Sequence, residues 1–566
     1  MNDKLPEFMP PGPGEWKIID HIAQPGTRVF SEYYYEPMEA GWNCDARRIG
    51  AINRVKIREV NGFMYYQMNA VESKQEFLEM CSIAENYWIE KNFLRDLKLW
   101  DDAIKPSSIK QLRALQEVEL HALATSELIE HLSRCLEAAK SMTFNHHQFT
   151  YTSFVPIGDF IRQVSDWTGK KPIDILRLLQ GSDNSRLLVA HELSKVQRFI
   201  DCLKNNADAI KLLAGAEGND PESAARILSD LESLEGDIKD GLQFFREYCE
   251  YRIISGYDIT YETFTERPDL MLKSLRSLLN QGLYSHRTAS QDEINAISDL
   301  VPLKERAMYD EMVCDARRME RLRDERGMFS DLWAIGILRC AYLEAGKRLF
   351  NAGLIDAPKL ALDASFKEIS SLLEGRPIVT SNELQQRAEY RMRFSVTDAP
   401  VVLKGPQLKP QKMPDLSAPL ARIMSGLEVA INLAVEHSTD QLSPQNRLKS
   451  GSIGRLTRRR KVKLKGISAS IGIAEGTAKV ISSGTKIKDI SKGDIIVMHQ
   501  ATASFAIVFP LIAGIILEYG GILSHPAILA REFGIPCIVG CSGAMEKIHT
   551  GNNIRLDGAK GIVEVI

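Results

Sequence analysis

The sequence lacks the features by which secreted and membrane proteins are usually recognised. Its nine cysteines form no CxxC pair and show no zinc-ligand spacing, so we expect reduced thiols rather than a disulfide framework. No apolar run is long enough to cross a bilayer, because Pro510 and Gly514 interrupt the most hydrophobic stretch. The opening residues, MNDKLPEFMPPGPGEW, lack the basic and apolar regions of a signal peptide. These absences predict a cytoplasmic protein without a membrane partner.

A large excess of charge of either sign is also missing. The 566 residues carry a formal net charge of -3, with 26% charged and 44% hydrophobic residues, which is typical of a globular protein. We expect no nucleic-acid partner; the basic run at 458–461 is compatible with one, but a solvated hinge is the favoured interpretation. The length exceeds that of one ordinary core and predicts two or more domains.

The apolar pattern changes along the first 465 residues. From about residue 70 to residue 400, apolar side chains recur at spacings of three and four, which predicts helices, one of them ending at Gly353. Residues 401–465 are rich in proline, polar and basic residues, which predicts a linker. One helix near Leu420 to Val435 should interrupt that linker.

After Gly466 the pattern becomes strand-like. Short apolar runs end at glycine or aspartate, with one helix from about Pro526 to Phe533 among them. The predicted fold is therefore multidomain, α plus α/β. It comprises a large, mostly helical domain over 1–400, a linker or hinge over 401–465 and a small α/β domain over 466–566.

The stretch GGILSHPAILAREFGIPCIVG places His525 between a glycine turn and a helix. Gly520 and Gly521 allow backbone angles that other residues avoid, Ser524 suits an N-cap and Pro526 suits the first helical turn. His525 should then lie at the positive end of a helix, among free backbone N–H groups that stabilise an anion. Such a position suits a nucleophilic imidazole that becomes a phosphoramidate. A histidine that only caps the helix is equally compatible with these residues.

This stretch resembles the phosphohistidine swivel domain of the PEP-utilising enzymes, which include phosphoenolpyruvate synthase and pyruvate phosphate dikinase. Their motif is G-G-x-T-S-H-A-A-I-x-A-R-E-x-G-I-P-x-V-x-G, and the similarity extends from KGISASIGIAEGTAKVI to IHTGNNIRLDGAKGIVEV. The resemblance implies a swivelling β/β/α domain in which His525 carries a phosphoryl group between distant sites. We predict that Ser524 and Gly521 contact the phosphate. Leu523 replaces the threonine that is phosphorylated in the dikinases, so that regulation is not expected, and Pro526 replaces an alanine.

A weaker resemblance covers the helical part. EYRIISGYDITYETFTERPDL, GILRCAYLEAGKRLFNAGLID and QQRAEYRMRF are similar to the substrate-binding domain of rifampicin phosphotransferase. The arrangement also resembles the larger subunit of phenylphosphate synthase. No P-loop, ATP-grasp-like segment or phosphoenolpyruvate-binding barrel is recognisable. We therefore expect magnesium-ATP to bind to an ATP-grasp-type partner subunit, and the helical part to bind a small hydroxyl-bearing acceptor such as a phenol.

Candidate residues for the acceptor site carry less specific patterns. Arg387 and Arg391 are four residues apart, so they share a helix face and are candidates to clamp a phosphoryl group. A solvated basic face is nearly as compatible with this spacing. His146 or His147 is a candidate base for the acceptor hydroxyl, and the alternative is a packed loop histidine.

Two further candidates come from the stretch that resembles the substrate-binding domain. Arg252 and Glu266 are candidate substrate-binding residues, with a structural ion pair as the default interpretation. We predict no metal site in this chain, because no His/Asp/Glu cluster has ligand spacing. Magnesium is expected to arrive with the nucleotide.

The predicted function is that of an ATP-dependent phosphotransferase subunit. A partner phosphorylates His525, and the swivel domain delivers the phosphoryl group to the hydroxyl of a small acceptor. Two alternatives remain: a single-chain ATP-dependent dikinase whose nucleotide site is not recognisable, and a non-catalytic binding or regulatory protein that retains the swivel fold.

Overall fold

The computed structural model describes residues 6–19, 22–181, 190–215, 218–234, 236–281, 289–407, 415–435, 462–481 and 490–566. The chain forms two compact units. The first unit consists of residues 1–159, 256–261 and 326–428, and the second of residues 160–255, 262–325 and 429–566. Each unit thus combines segments that are distant in the sequence. The consecutive division at residues 400 and 465 stays a prediction, and the basic run at 458–461 lies outside the described residues.

The first unit is mostly helical, as the spacing of apolar residues predicts. Its helices and helical turns are Arg28–Tyr33, Tyr35–Arg48, Lys74–Ile89, Asn92–Leu99, Trp100–Ile104, Lys105–Gln116, Leu120–Ala122, Thr125–His147, Asp331–Asn351, Pro358–Asp363, Phe366–Leu373 and Ser381–Arg393. Three helices include residues assigned to both units, because the chain passes from one unit to the other within them: Thr150–Thr168, Arg306–Met328 and Ala418–Val435. The last confirms the helix predicted near residues 420–435. Gly353, with φ of 71°, follows the C-cap of Asp331–Asn351, as predicted.

A four-stranded antiparallel sheet in the first unit was not predicted. Its strands, in spatial order, are Asn53–Val60, Phe63–Ala70, Glu15–Ile18 and Val402–Lys404. Asn61 and Gly62 join the first two strands and both have positive φ, of 54° and 81°, which is the backbone of a two-residue hairpin turn. Because Val402–Lys404 pairs with Glu15–Ile18, the first residues of the predicted linker belong to this sheet.

The second unit joins helices to a larger sheet. Its helices and helical turns are Pro172–Leu176, Arg177–Leu179, Ala190–Lys204, Ala207–Ala214, Pro221–Glu232, Gly236–Cys249, Pro268–Gln281, Gln291–Ser298, Leu303–Glu305, Ala503–Leu511, His525–Glu532 and Ala544–Lys547. Among the described residues, no helix of either unit combines the length and apolar character that a bilayer crossing requires.

The C-terminal sheet has eight strands and confirms the strand-like pattern after Gly466. In spatial order they are Lys463–Lys465, Ile562–Val565, Asn553–Asp557, Ile473–Ile481, Asp494–Met498, Ile512–Leu517, Cys537–Val539 and Ile467–Ser470. The four strands from Ile473–Ile481 to Cys537–Val539 are parallel to one another. Every residue of Asp494–Met498 is buried, which explains its continuous apolar sequence.

The helix His525–Glu532 connects two of these parallel strands. It follows Ile512–Leu517 and precedes Cys537–Val539, so its N-terminus comes after the carboxyl end of a parallel strand. In open α/β sheets, ligands bind at that edge. The fold therefore places His525 where a parallel sheet ordinarily presents reactive groups.

Candidate active site

Close backbone packing fixes the turn that precedes His525. Gly520 has a φ of 92°, which strongly favours glycine. A Cβ at Gly521 would lie 2.0 Å from the carbonyl oxygen of Leu433, so no larger residue fits there. The N–H groups of Gly521 and Leu523 donate to the carbonyls of Ala434 and Leu433, at 2.9 and 3.0 Å. The two glycines are therefore explained by the backbone of the turn itself.

Two buried arginines hold the carbonyl side of the same turn. Arg531 donates from Nη1 to the carbonyl oxygen of Ile522 at 2.6 Å, and Arg323 donates from Nη2 to that of Leu523. Both guanidinium groups are buried, where an arginine requires such partners. The peptide groups that lead into Ser524 are thus fixed from both sides.

The N-terminus of the helix offers fewer free donors than predicted. Ser524 is the N-cap residue, as expected, but the N–H groups of Ala527 and Ile528 both donate to its carbonyl, at 3.1 Å. Pro526 has no N–H. The N–H of Gly521 donates to the carbonyl of Ala434, and the prediction that Gly521 contacts the phosphate stays a prediction. The expectation of several free N–H groups around His525 is corrected accordingly.

The hydroxyl of Ser524 does not cap the helix. Its Oγ is buried and has no hydrogen-bond partner within the part of the chain that the structure describes. A buried hydroxyl without a partner costs about 1–3 kcal/mol. Such a group beside His525 is available to a ligand oxygen, which supports the prediction that Ser524 contacts the phosphate.

Asp324 defines the chemical state of His525. Its Oδ1 contacts Nδ1 of the imidazole. Because a carboxylate only accepts hydrogen bonds, the neutral ring carries its hydrogen on Nδ1 and has its lone pair on Nε2. The imidazole side chain is 18% exposed, whereas that of Asp324 is 5% exposed. Asp324 thus orients the partly exposed imidazole of His525, and Nε2 is the nitrogen that can act as a nucleophile.

The carboxyl groups of Glu320 and Glu532 are also buried in the second unit. Burial, together with the nearby Glu320, raises the pKa of Glu532 to about 8. Burial also raises the pKa of Glu320, against the attraction of Arg323 and Arg531. The N–H of Gly181 lies 3.3 Å from Oε2 of Glu532. The far end of the His525 helix therefore holds a carboxyl group that is protonated at neutral pH.

Arg387 and Arg391 do share the helix Ser381–Arg393, but carboxylates already occupy them. Arg387 donates to both carboxylate oxygens of Glu368 at 2.8 Å, and Arg391 donates to both of Asp363 at 3.2 and 3.0 Å. Burial alone would raise the pKa of Glu368, but the hydrogen bond from Arg387 outweighs it and lowers that pKa to about 2. A phosphoryl group would have to displace these carboxylates, and the clamp by Arg387 and Arg391 stays a prediction.

His146 and His147 form a buried cluster with Asp331 in the first unit. Nδ1 of His146 lies 2.8 Å from Oδ2 of Asp331, and the two imidazole rings are stacked with centroids 4.5 Å apart. One ligand atom from each of the three residues lies within 4.8 Å of the others. The spacing argument against a metal cluster missed this group because Asp331 is 185 residues from His146.

Arg252 and Glu266 both lie in the second unit and contact its backbone there. Arg252 is buried and donates from Nη1 to the carbonyl of Glu247 at 2.9 Å. Oε2 of Glu266 accepts from the N–H of Thr263 at 3.2 Å. These contacts are structural, and the substrate-binding role of both residues stays a prediction.

Three residues of the site were not predicted from the sequence. Asp324 and Arg323 belong to the helix Arg306–Met328, and Arg531 lies in the last turn of the helix His525–Glu532. The segment from Glu320 to Arg326, ERLRDER, is densely charged yet almost wholly buried. Charge of both signs beside apolar residues predicts a solvated helix face, so only tertiary structure identifies these residues.

Comparison with known proteins supports the resemblance. Residues 490–561 match the family described as PEP-utilising enzyme, mobile domain. A probable phosphoenolpyruvate synthase of Archaeoglobus fulgidus is 40% identical over 103 residues, which cover 18% of this chain and 14% of that protein. The resemblance predicted from the His525 stretch is therefore confirmed.

Two longer similarities include the helical part. The uncharacterized phosphotransferase YvkC of Bacillus subtilis is 23% identical over 362 residues, which cover 63% of this chain and 40% of that protein. The rifampicin phosphotransferase of Streptomyces sviceus is 21% identical over 418 residues, which cover 71% of this chain and 42% of that protein. The predicted resemblance to rifampicin phosphotransferase is confirmed. This chain spans about two fifths of the length of these two relatives.

Proposed function

We propose that this chain, whose residues 490–561 belong to the PEP-utilising mobile-domain family, carries a phosphoryl group on Nε2 of His525. It passes that group to the hydroxyl of a small organic acceptor. The observation that carries the proposal is the contact between Asp324 and Nδ1, which leaves Nε2 as the nucleophile. The similarity to phosphotransferases supports the reaction class.

The charging step forms one bond and breaks one. The Nε2 lone pair attacks a phosphorus atom of the donor nucleotide, the phosphorus–oxygen bond to the leaving nucleotide breaks, and a phosphoramidate forms. The ring becomes cationic during the attack, and the carboxylate of Asp324 stabilises that charge through Nδ1–H. The Ser524 hydroxyl, which is buried without a partner among the described residues, then donates to a phosphoryl oxygen.

The delivery step reverses the bond changes at His525. The acceptor oxygen attacks phosphorus, the nitrogen–phosphorus bond breaks, and the hydroxyl proton passes to a base, for which His146 or His147 stays the candidate. We propose that the C-terminal domain swivels between donor and acceptor. Such a swivel must break the bonds by which Ser274 and Ser277 donate to the carbonyls of Ile507 and Pro510, both 2.7 Å long.

The donor is proposed to be magnesium-ATP on an ATP-grasp-type partner subunit. The acceptor is a small hydroxyl-bearing molecule, for which we favour a phenol because of the predicted resemblance to phenylphosphate synthase. The nine cysteines all lie in the described residues and all are free thiols, which supports a reducing, cytoplasmic location. We propose no nucleic-acid or membrane partner.

The first test measures phosphorylation by intact mass and fragment mapping. Magnesium-ATP is supplied to the chain alone and together with ATP-grasp proteins purified from the same cells; potassium phosphoramidate serves as a small donor that needs no partner. We expect one acid-labile phosphoryl group on His525, and with ATP only when a partner is present. The variant His525→Ala should lose this label completely while its far-UV circular dichroism stays unchanged.

The matched control is His499→Ala. His499 also follows a parallel strand and has a carboxylate partner, Glu518, at 2.8 Å. This variant should be labelled like the wild-type chain. Labelling of the chain by ATP alone would favour the single-chain dikinase. Absence of any label on His525 under all conditions would favour the non-catalytic protein.

A further inference from the structure

We propose that His146, His147 and Asp331 bind one divalent first-row transition-metal ion. The three residues bring two imidazoles and one carboxylate together from the helices Thr125–His147 and Asp331–Asn351. This is a ligand set that suits zinc, iron or manganese and leaves further coordination positions open. The proposal rests on geometry within the first unit and does not depend on the proposed function.

Burial is the first argument for a ligand. His146, His147 and Asp331 are 3%, 5% and 0% exposed. A buried carboxylate and two buried imidazoles are costly unless their polar atoms are compensated. Asp331 accepts from Nδ1 of His146 at 2.8 Å and from the N–H of Leu332 at 3.0 Å. A metal ion at this cluster would coordinate Oδ2 and one nitrogen of each ring.

The separation of the ligand atoms is the second argument. One donor atom from each residue lies within 4.8 Å of the others, so small rearrangements bring all three to a common ion. The two rings are only 18° from parallel, and imidazole lone pairs lie in the ring plane. Metal binding therefore requires one ring to turn about its Cβ–Cγ bond.

Neighbouring residues leave room for that turn on the side of His146. Gly327 faces this ring: a Cβ there would lie 3.5 Å from Cε1 and 3.8 Å from Nδ1, so the missing side chain leaves a methyl-sized space beside the ring. The ring of His147 has no such space to turn, because Tyr34 and Trp42 pack edge-on against it with centroids 5.7 and 5.6 Å away. His146 is thus the ring that turns.

A further buried polar group adjoins the cluster. Ser330 precedes Asp331, is fully buried, and its Oγ has no hydrogen-bond partner among the residues that the structure describes. A water or hydroxide on an open metal position would supply one. The nearby guanidinium of Arg326 is engaged by the carbonyl of His146 at 3.0 Å and by Oγ1 of Thr150 at 2.5 Å.

The test measures zinc binding by the full chain after chelator treatment and dialysis. Zinc chloride is titrated in competition with a chromophoric chelator, and bound zinc is measured by elemental analysis. We expect one ion per wild-type chain. The variants His147→Phe and Asp331→Asn should bind zinc at least about tenfold more weakly, since even changes outside the direct ligands cost about 10- to 100-fold in affinity.

The control variant is His499→Phe. His499 pairs with a carboxylate and stacks on Tyr519, with centroids 5.4 Å apart, but among the described residues no histidine joins this pair in a metal-binding group. It should bind zinc like the wild-type chain. His147→Phe keeps an aromatic ring against Tyr34 and Trp42, and Asp331→Asn keeps the side-chain volume, so circular dichroism identifies any variant that fails to fold.

Cobalt(II) distinguishes this site from the nine cysteines. Imidazole and carboxylate ligands give visible d–d bands alone, whereas a thiolate adds an intense near-ultraviolet charge-transfer band. We expect the visible bands, and we expect their loss in His147→Phe. A thiolate band, unchanged zinc affinity in both folded variants, or no zinc on the wild-type chain would overturn the proposal.

Discussion

Each of the two compact units contains a histidine paired through Nδ1 with an aspartate. In the second unit, His525 and Asp324 have side chains that are 18% and 5% exposed. In the first unit, His146 and Asp331 have side chains that are 4% and 0% exposed. His525 begins an eight-residue helix after a glycine turn, whereas His146 lies at the end of a 23-residue helix beside a second histidine. The same pair of groups is thus set in two different environments.

The difference indicates what each pair can do. A phosphoryl carrier must present one ring nitrogen to large, charged partners, which requires exposure and a fixed tautomer. A metal site must exclude competing water and bring several ligands together, which favours burial.

The largest expected effect of a carboxylate substitution is on the charging of His525. In Asp324→Asn, the amide NH₂ can donate to Nδ1, which favours the tautomer with hydrogen on Nε2 and removes the nucleophilic lone pair. Tautomer and base losses of this kind cost about 10²- to 10⁴-fold in rate. The initial rate of labelling by potassium phosphoramidate, mapped to His525, measures the effect. The control Glu518→Gln alters the partner of His499 and should leave that rate unchanged; an equal rate in Asp324→Asn would contradict the assignment.

The next effect concerns stability and compares the two aspartates directly. Asp331→Ala leaves the Nδ1–H of His146 and the N–H of Leu332 buried without their acceptor, which should cost about 1–3 kcal/mol. Asp324→Ala should cost less, because water can reach the partly exposed ring of His525. Urea unfolding with chelator present measures both variants. Equal losses would show that the difference in exposure has no energetic consequence.

The third effect is a pH dependence in the second unit. Burial raises the pKa of Glu532 from 4.5 to about 8, so between these values the folded chain holds a proton that the unfolded chain has released. The free energy of unfolding contributed by this group therefore falls as the pH rises from about 4.5 to about 8. Glu532→Gln should remove that slope, and above about pH 8 the variant should be more stable than the wild-type chain.

Glu368 supplies the opposite case in the first unit. Its pKa is lowered to about 2 by Arg387, against the effect of burial, so its contribution is present above about pH 4.5 and is lost as the pH falls toward 2. Glu368→Gln should therefore lower the melting temperature at neutral pH, where Glu532→Gln does not. The measurement is the melting temperature of each variant between about pH 2 and about pH 8. If the melting temperatures of both variants changed with pH in the same way, the raised pKa assigned to Glu532 would be contradicted.

The sequence predicted the elements whose signals are local. The helix His525–Glu532 agrees with its prediction to within one residue at each end, because a cap residue, a proline and a glycine mark those ends. The strands around it were predicted from short apolar runs between turn residues. The hairpin at Asn61 and Gly62 was missed although its signal was also local: an Asn-Gly pair between alternating residues of Asn53–Val60 and Phe63–Ala70.

The residues that complete each site are distant in the sequence. Asp324 is 201 residues from His525, and Asp331 is 185 residues from His146. Neither aspartate has a local pattern that separates it from a solvated charge on a helix. Arg387 and Arg391 had the expected spacing, but the carboxylates that occupy them, Glu368 and Asp363, come from other elements. Spacing predicted the shared helix face correctly and said nothing about its partners.

The smallest expected effect compares two N-cap serines. Ser365 accepts from the N–H of Glu368 at 3.2 Å in a full capping box, so Ser365→Ala should cost about 1 kcal/mol in the free energy of unfolding. The hydroxyl of Ser524 makes no cap bond, so Ser524→Ala should change stability by no more than about 0.5 kcal/mol. Its effect should appear instead in the lifetime of the phosphorylated chain, because the hydroxyl is then a donor to a phosphoryl oxygen. Urea unfolding and the rate of phosphate release from His525 measure the two quantities. A loss of stability equal to that of Ser365→Ala, with an unchanged phosphate lifetime, would assign Ser524 to the helix rather than to the phosphate.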